Sequence, residues 1–420
     1  MLLNYKFSNF KAFYNEVKFT MKANNYIKVI NENLITKSNN NKVLKSALIF
    51  GPNNTGKTSF FESLFFMRDI VIDFDNVSKY PIRLLKNIIH NPLGDEKPIC
   101  LEVEFYPVGS TEIYKFGFEI KNDYKFINEY LYKDKKCIYK RQNGKIIEGS
   151  IKRNFFNDLF NDMDTLLLHK LVGLSENALE NKYIYTNVLK FFNRIVAFKN
   201  VDKDYENIYS HLSSGTNNYI KKIALGSDFG LTDIKIKEDH NGANTNDSGN
   251  LRSELDDKIW AIKTFHKTSN GVLQTPFVMF ESLGTKKMIS LAAFIQNAID
   301  NDLIMIVDEI GNSLHTKLSK MLLATFNEYS CGDAQLIATT HDLLLLDNKK
   351  LLRKDQMWLT DRDKDKVELY SLDEFKDNDE RSPRGNILSK YLKGYFGALP
   401  YPSVIINEIE KEDGNNETTS

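Results

Sequence analysis

Gly51-Pro52-Asn53-Asn54-Thr55-Gly56-Lys57-Thr58 constrains this chain more than any other segment. It is a complete G-x4-G-K-[ST] pattern, which works only between a buried strand and a helix. Its glycines let the backbone curl so that successive N–H groups converge on a phosphate, and the following helix contributes its positive end. The flanks supply that context. Lys45-Ser46-Ala47-Leu48-Ile49-Phe50 is a short apolar run of buried parallel-strand type, and from Thr58 onward Phe61, Leu64, Phe65, Ile70 and Val71 recur at helical spacing. Gly51, Pro52, Asn53, Asn54, Thr55 and Gly56 are thus expected to wrap a nucleotide's phosphates. Lys57 would reach the β- and γ-oxygens, and the Thr58 hydroxyl would ligate Mg²⁺.

Leu303-Ile304-Met305-Ile306-Val307-Asp308-Glu309 supplies a second half. An apolar strand that ends in two acids delivers them to the phosphate edge: Asp308 as metal ligand, Glu309 as general base for the attacking water. Glu281-Ser282-Leu283-Gly284-Thr285 opens a helix and offers a hydroxyl, free N–H groups and a dipole end, so Ser282, Gly284 and Thr285 are further nucleotide contacts. His341 closes the strand Ala338-Thr339-Thr340-His341 and is a second catalytic candidate. Taken singly, Ser282 is a plain helix cap and His341 a polar strand end. In this order with the phosphate loop, they read as one site.

The length of 420 residues fits two or three domains. Residues 1–150 form an N-terminal half with the phosphate loop, 151–258 a helical lobe, 259–403 a C-terminal half, and 404–420 a flexible tail. Leu2–Phe7 and Val17–Met21 alternate as strands around the turn Asn9–Phe13. Residues 98–148 alternate most clearly, with Asn143-Gly144 as a type I′ turn, so an antiparallel sheet is expected. Helical spacing marks 151–225, through Phe155, Leu159, Met163, Leu166 and Leu167, then Val188, Leu189, Phe192 and Ile195. Asp239–Asn250 is too polar to pack and reads as a mobile loop. Ile259–Phe265 and Phe277–Phe280 read as strands, Thr285–Asp300 as a helix, and 303–310 and 335–340 as buried strands.

Composition excludes several functions. Lys plus Arg and Asp plus Glu balance at 56 each, so no global field draws the chain to nucleic acid or membrane. Cys100, Cys137 and Cys331 lie far apart, which suits a reducing cytosol rather than a disulfide frame or zinc site. With no long apolar stretch, a soluble cytoplasmic protein is expected. Asp228-Phe229-Gly230 copies a kinase motif without its companions and reads as a turn. Asp361, Asp363 and Asp365 alternate in a charged hairpin that lacks the ligand spacing of a calcium loop or the further carboxylates of a metal nuclease, so the chain is expected to cleave no nucleic acid itself. Lys349-Lys350-Leu351-Leu352-Arg353-Lys354 reads as a solvated basic face, and Tyr391–Pro400 as core in preference to a docking surface. The absence of Asn-Lys-x-Asp excludes a guanine-specific site.

The series of phosphate loop at 51–58, signature at 281–285, acidic strand at 303–309, the D-loop at 310–315 and switch histidine at 341 resembles the ABC-type ATPases of the SMC and DNA-repair kind. Within that group the chain is similar to the compact bacterial AAA ATPases of the RloA/AbiLi type in phage defence. The likeness rests on Glu-Ser-x-Gly-Thr, Val-Asp-Glu followed by Ser-Leu-His, Thr-Thr-His, and the ending Tyr391-Leu392-x-Gly394-x-x-Gly397-Ala398-x-Pro400. It departs at Leu283, where such signatures carry a small or polar residue, and it offers no convincing Q-loop glutamine. The resemblance implies an α/β P-loop NTPase with an ABC/SMC-type head, an antiparallel β subdomain and an inserted helical lobe. It implies ATP and Mg²⁺, and a head-to-tail homodimer or higher oligomer in which Ser282–Thr285 of one copy caps Gly51–Thr58 of the other. It also implies a separately encoded effector, a nuclease, with DNA as a further ligand left open and no membrane. Two alternatives stay open: a DNA-repair ATPase that binds duplex directly, and an ATP-bound scaffold that sequesters a toxin.

Overall fold

The structure, a computed structural model, describes residues 1–37, 41–77, 79, 81–87, 97–121, 123–149, 151, 162–175, 181–198, 205–214, 218–226, 230–237, 254–312, 314–347, 350–375 and 386–400. Phe155, Leu159, Ser313, the Asp239–Asn250 loop, the Asp228-Phe229 pair and the 404–420 tail lie outside these residues.

The chain opens with β1 (Leu2–Ser8) and β2 (Val17–Thr20), then β3 (Leu34–Thr36), β4 (Lys42–Leu44) and β5 (Ser46–Phe50), which leads into helix α1 (Lys57–Ile72). The alternating region folds as β6 (Ile99–Phe105), β7 (Tyr114–Ile120), β8 (Phe126–Lys133), β9 (Lys136–Gln142) and β10 (Lys145–Gly149). With β1 and β2 these build an antiparallel sheet of order β10-β9-β8-β7-β6-β1-β2. The β9–β10 turn has Asn143 and Gly144 both at positive φ, the type I′ geometry their sequence calls for.

Helices α2 (Leu167–Gly173) and α3 (Tyr183–Asn193) come next, and then strand β11 (Ile195–Phe198). Ile195 therefore corrects the helical reading: it pairs with Ile304 in parallel at the edge of the central sheet. Met163 and Leu166 precede α2 rather than lying on its face. The start of α2 is fixed from the sheet. Glu129 of β8, fully buried, accepts hydrogen bonds from the backbone N–H groups of Leu167 (2.7 Å) and Leu168 (3.0 Å), from Tyr139 Oη and from Arg141 Nη2. A buried carboxylate thus replaces the missing side-chain cap and meets its own need for donors.

An inserted unit follows: α4 (Tyr205–Ser213), α5 (Asn218–Gly226), β12 (Leu231–Ile236), α6 (Glu254–Ala261), β13 (Ile262–Thr268) and β14 (Gly271–Pro276). β12, β13 and β14 form a three-stranded sheet, in which β13 takes up the later part of the strand expected at Ile259–Phe265 and β12 and β14 are additional. Phe277–Phe280, expected as a strand, is one helical turn, α7, entered from Pro276, and Ile259–Ala261 is helical before β13 begins. The C-terminal half holds α8 (Leu283–Asp300), β15 (Ile304–Val307), α9 (Thr316–Tyr329), β16 (Gln335–Thr340), β17 (Met357–Asp363), β18 (Lys366–Ser371) and α10 (Ile387–Leu392).

The central sheet has the order β11-β15-β16-β5-β17-β18, parallel except for the β17–β18 hairpin. Its central strands β5, β15 and β16 are buried on both faces. In β5, Ala47 and Ile49 join a core shared with α1, α3 and the antiparallel sheet, whereas Leu48 and Phe50 join a second core with α8 and α9. This explains why β5 reads as a continuous apolar run rather than an alternation. Helix α8 is covered on two sides: Met288, Leu291 and Ile295 face the central sheet, Ile289 and Ala293 the inserted unit. A P-loop α/β core, an antiparallel sheet and an inserted helical region are therefore all present.

Within the basic cluster Lys350 is exposed, but Arg353 departs from the solvated reading. It is 1% exposed, paired with Asp355 at 2.8 Å, and donates to the carbonyls of Asn24, Ile27 and Val29. Tyr391 and Phe396 are buried in the second core, as expected, while Leu392 and Tyr395 are exposed. The three cysteines are free, and among the described residues no helix is long and apolar enough to cross a membrane.

Candidate functional site

β5 ends at Phe50, and the loop that follows has no room for side chains at its glycines. A Cβ at Gly51 (φ +152°) would lie 2.2 Å from Thr360 Oγ1, and one at Gly56 (φ +90°) 2.8 Å from the Phe13 ring. The loop is thus pressed against β17 on one side and the Asn9–Phe13 turn on the other. Gly56 caps α1 with no side-chain acceptor, which leaves the first-turn N–H groups for an anion. Lys57, buried, folds back over its own loop and donates to the carbonyls of Gly51 (2.8 Å) and Pro52 (2.7 Å). Burial pushes its ammonium down to about 8, against the pull of Asp308 and Glu309. Thr55 braces the loop through Pro52 O and Thr360 Oγ1, both at 2.7 Å; Asn53 and Asn54 are exposed.

Asp308 emerges one residue beyond β15. Its Oδ2 accepts from Thr58 Oγ1 at 3.1 Å, and its Oδ1 accepts from Thr339 Oγ1 at 2.5 Å. A carboxylate and a hydroxyl in contact are hard oxygen donors that fit Mg²⁺, an ion commonly held by one or two carboxylates together with substrate phosphates. Among the described residues no cluster of three or more His, Cys, Asp or Glu could hold a metal, so the phosphates would complete the shell.

Glu309 has φ +55°, the left-handed region that costs a non-glycine residue on the order of 1–3 kcal/mol. Several bonds hold it there. Its N–H donates to Thr339 Oγ1 (2.8 Å), its carbonyl accepts from Lys287 Nζ (3.2 Å) and Asn312 N (3.1 Å), and its Oε2 accepts from Asn312 Nδ2 (3.0 Å). His341 Nε2 lies 3.6 Å from Glu309 Oε1. Burial and the Lys57 ammonium hold the His341 imidazole below its ordinary range, so it is mainly neutral near pH 7.

Ser282 caps α8: its Oγ accepts from Thr285 N at 3.1 Å and shares a 2.8 Å hydrogen bond with Thr285 Oγ1. The preceding Glu281 is buried and fixed by Thr264 Oγ1 (2.6 Å) and His266 Nε2 (2.8 Å), so the turn is anchored to β13. Among the described residues no hydrogen bond or ion pair joins Ser282–Thr285 to Gly51–Thr58. Lys57, Thr58, Asp308, Glu309 and His341 thus gather at the ends of β5, β15 and β16, while Ser282, Gly284 and Thr285 belong to a separate, partly exposed turn with Leu283 65% exposed.

The roles of Thr339, Asn312 and Lys287 escaped the sequence reading. A threonine next to the end of a fully buried strand must find a partner, and that was the available signal for Thr339. Lys287 carried none.

A family model described as "AAA domain, putative AbiEii toxin, Type IV TA system" matches residues 46–347, from the start of β5 to just past His341. No curated protein matches the chain. Among solved structures the chain is similar to the SMC head domain from Thermotoga maritima, with a TM-score of 0.43 and 12% identity over 88% of this chain and 98% of that one. It is similar also to an Smc head bound to the C-winged helix domain of ScpA (TM-score 0.42, 12% identity, 88% and 97% covered). A third is the Smc head with an extended coiled coil, bound to the C-terminal domain of ScpA derived from Pyrococcus furiosus (TM-score 0.41, 11% identity, 88% and 96% covered).

Proposed function

The chain belongs to this AAA-domain family, which implies ATP binding and hydrolysis, and from that premise we propose an ABC/SMC-like ATPase of the RloA/AbiLi type. It closes around ATP as a head-to-tail dimer and regulates a separately encoded effector in anti-phage defence. The observation that carries the reading is the convergence of Thr58, Asp308, Thr339, Glu309 and His341 beside one phosphate loop.

Each residue then has a task. Lys57 exchanges its contacts with the loop carbonyls for phosphate oxygens, and the free N–H groups at the start of α1 bind the same phosphates. Thr58 and Asp308 would hold Mg²⁺, which when bound neutralises charge on the phosphate oxygens. Glu309, fixed by Asn312, accepts the proton of the attacking water, and neutral His341 stands beside it as a hydrogen-bonding group. Among the described residues no hydrogen bond or ion pair joins the signature turn to its own phosphate loop, and Leu283, with Phe280 of the preceding helical turn, is exposed, which supports its use by a second copy. The pairing with an effector draws on the toxin–antitoxin wording of the family description. Burial of Arg353 weakens the reading in which the 349–354 cluster binds DNA, and Asp361 and Asp363 are taken up by the β17–β18 hairpin.

The test is Glu309→Gln. It should bind ATP, lose turnover by about 10²–10⁴-fold and elute as an ATP-trapped dimer in light scattering, whereas wild type with ADP stays monomeric. Wild-type turnover in Glu309→Gln would refute the assignment.

A further inference from the structure

We propose that Lys287 is a positioning residue for Glu309, reaching from the signature helix to hold the base's own peptide in its left-handed conformation. The inference rests on the reading of Glu309 as the base. Lys287 lies on α8 just beyond the turn capped by Ser282, and its half-buried side chain runs toward the end of β15. There Nζ donates to Glu309 O at 3.2 Å and to Asn312 O at 2.7 Å, the first and last carbonyls of the turn that follows Asp308.

Glu309 needs such a hold. Its φ of +55° is one that only surrounding structure can impose on a non-glycine residue. Thr339 fixes the N–H side of the residue and Asn312 fixes the carboxylate; Lys287 pins the carbonyl side and, through Asn312 O, the far end of the turn. If that pin is removed, the start of the turn is still tied to Thr339, through Glu309 N–H and through Ile310 N–H (3.0 Å to the Thr339 carbonyl). The carbonyl side and far end of the turn lose their external tie, so Asn312 and the carboxylate it holds can shift. A base displaced by about 1 Å can lose on the order of 100-fold in rate. The amine bears a cost for this position, since burial disfavours its charge, and Glu309 offsets part of it. Surface lysines avoid that cost by pointing into water. Because the same helix carries Ser282, the signature turn and the base of one chain form a single mechanical unit.

A purely structural lysine that caps turn carbonyls would serve stability alone, and a double-mutant cycle separates the two roles. Lys287→Met, Lys287→Arg, Glu309→Gln and the Lys287→Met/Glu309→Gln double variant are made in the full chain. Steady-state ATPase is measured, together with amide exchange over residues 304–312 without nucleotide. Lys287→Met should lower kcat about 10- to 100-fold with KM within about threefold, and Lys287→Arg should recover most of the loss. On the Glu309→Gln background Lys287→Met should change residual turnover less than about twofold, because there is no base left to position. Exchange at Glu309 and Ile310 should rise in Lys287→Met. Wild-type kcat in Lys287→Met, an equal loss on both backgrounds, or unchanged exchange would each overturn the proposal. Wild-type turnover in Glu309→Gln alone defeats the base assignment instead, and the exchange arm still judges Lys287. If Lys287→Met does not fold, Lys287→Gln takes its place in the cycle, where the same losses support the proposal and the same wild-type results overturn it.

Discussion

Thr339→Val separates the chemistry of this site from its packing. The Thr339 hydroxyl is fully buried and uses both of its capacities: it donates to Asp308 Oδ1 at 2.5 Å and accepts from Glu309 N at 2.8 Å. Valine keeps the shape and the stiff β-branched rotamer but neither bond. The Glu309 N–H is left without an acceptor, which costs about 1–3 kcal/mol. Asp308 is exposed, so water replaces its lost donor at little further cost. The expected destabilisation is therefore about 1–3 kcal/mol, a shift of a few degrees in a thermal melt. The kinetic loss should be of similar size in free energy, about 10- to 100-fold in kcat, because Asp308 and Glu309 both lose their common reference point. Thr339→Ser behaves the opposite way. It gives up one buried methyl, about 1 kcal/mol, but keeps the hydroxyl, so kcat should stay within about threefold of wild type. Melting curves and steady-state turnover over a Mg²⁺ titration test the pair. A valine variant with wild-type kcat, or a serine variant as slow as valine, would refute the bridging role.

Two further outcomes follow from groups held away from their ordinary states. Lys57, with a pKa near 8 when free of nucleotide, has its charge favoured by phosphates, so ATP binding should take up protons above pH 8 and affinity should fall as pH rises through 8; calorimetry at pH 8.5 in two buffers of different ionisation enthalpy checks this, and zero proton uptake would refute it. Arg353→Met strands the buried Asp355 carboxylate and three backbone carbonyls, so it should cost about 3–5 kcal/mol in urea unfolding; an unchanged midpoint would show that the pair is idle.

The parts legible in sequence were those that local physics dictates. Gly51 and Gly56 stand where no side chain fits, and Asn143-Gly144 stands where both residues need positive φ, so a pattern of residue types sufficed. What escaped was set by distant partners. Ile195 continues the spacing of Val188, Leu189 and Phe192, so periodicity carries α3 straight through it; parallel pairing with Ile304 ends the helix, and that partner is remote in sequence. Phe277–Phe280 is an apolar run too short for periodicity to decide, and it folds as a turn of helix once Pro276 ends β14. Arg353 looked like one charge among several, because the carbonyls it satisfies lie in residues 24–29.

Register explains why the chemistry assembles at this edge. β15, β16 and β5 are successive strands of the parallel sheet, and ligands of such sheets bind beyond the carboxyl ends of the strands. Val307 pairs with Ala338, so Asp308 comes level with Thr339, the residue that holds it. Thr340 pairs with Phe50, so His341 comes level with Gly51 at the mouth of the phosphate loop. A slip of one residue between β15 and β16 would carry Thr339 to the opposite face and leave Asp308 and Glu309 without their shared hydroxyl. The slip is opposed by the two cores, since Ile304 and Ile306 pack on one side of β15 while Met305 and Val307 pack on the other. The apolar run that precedes Asp308 thus does more than bury itself: by fixing which face each residue takes, it decides which hydroxyl meets the acid.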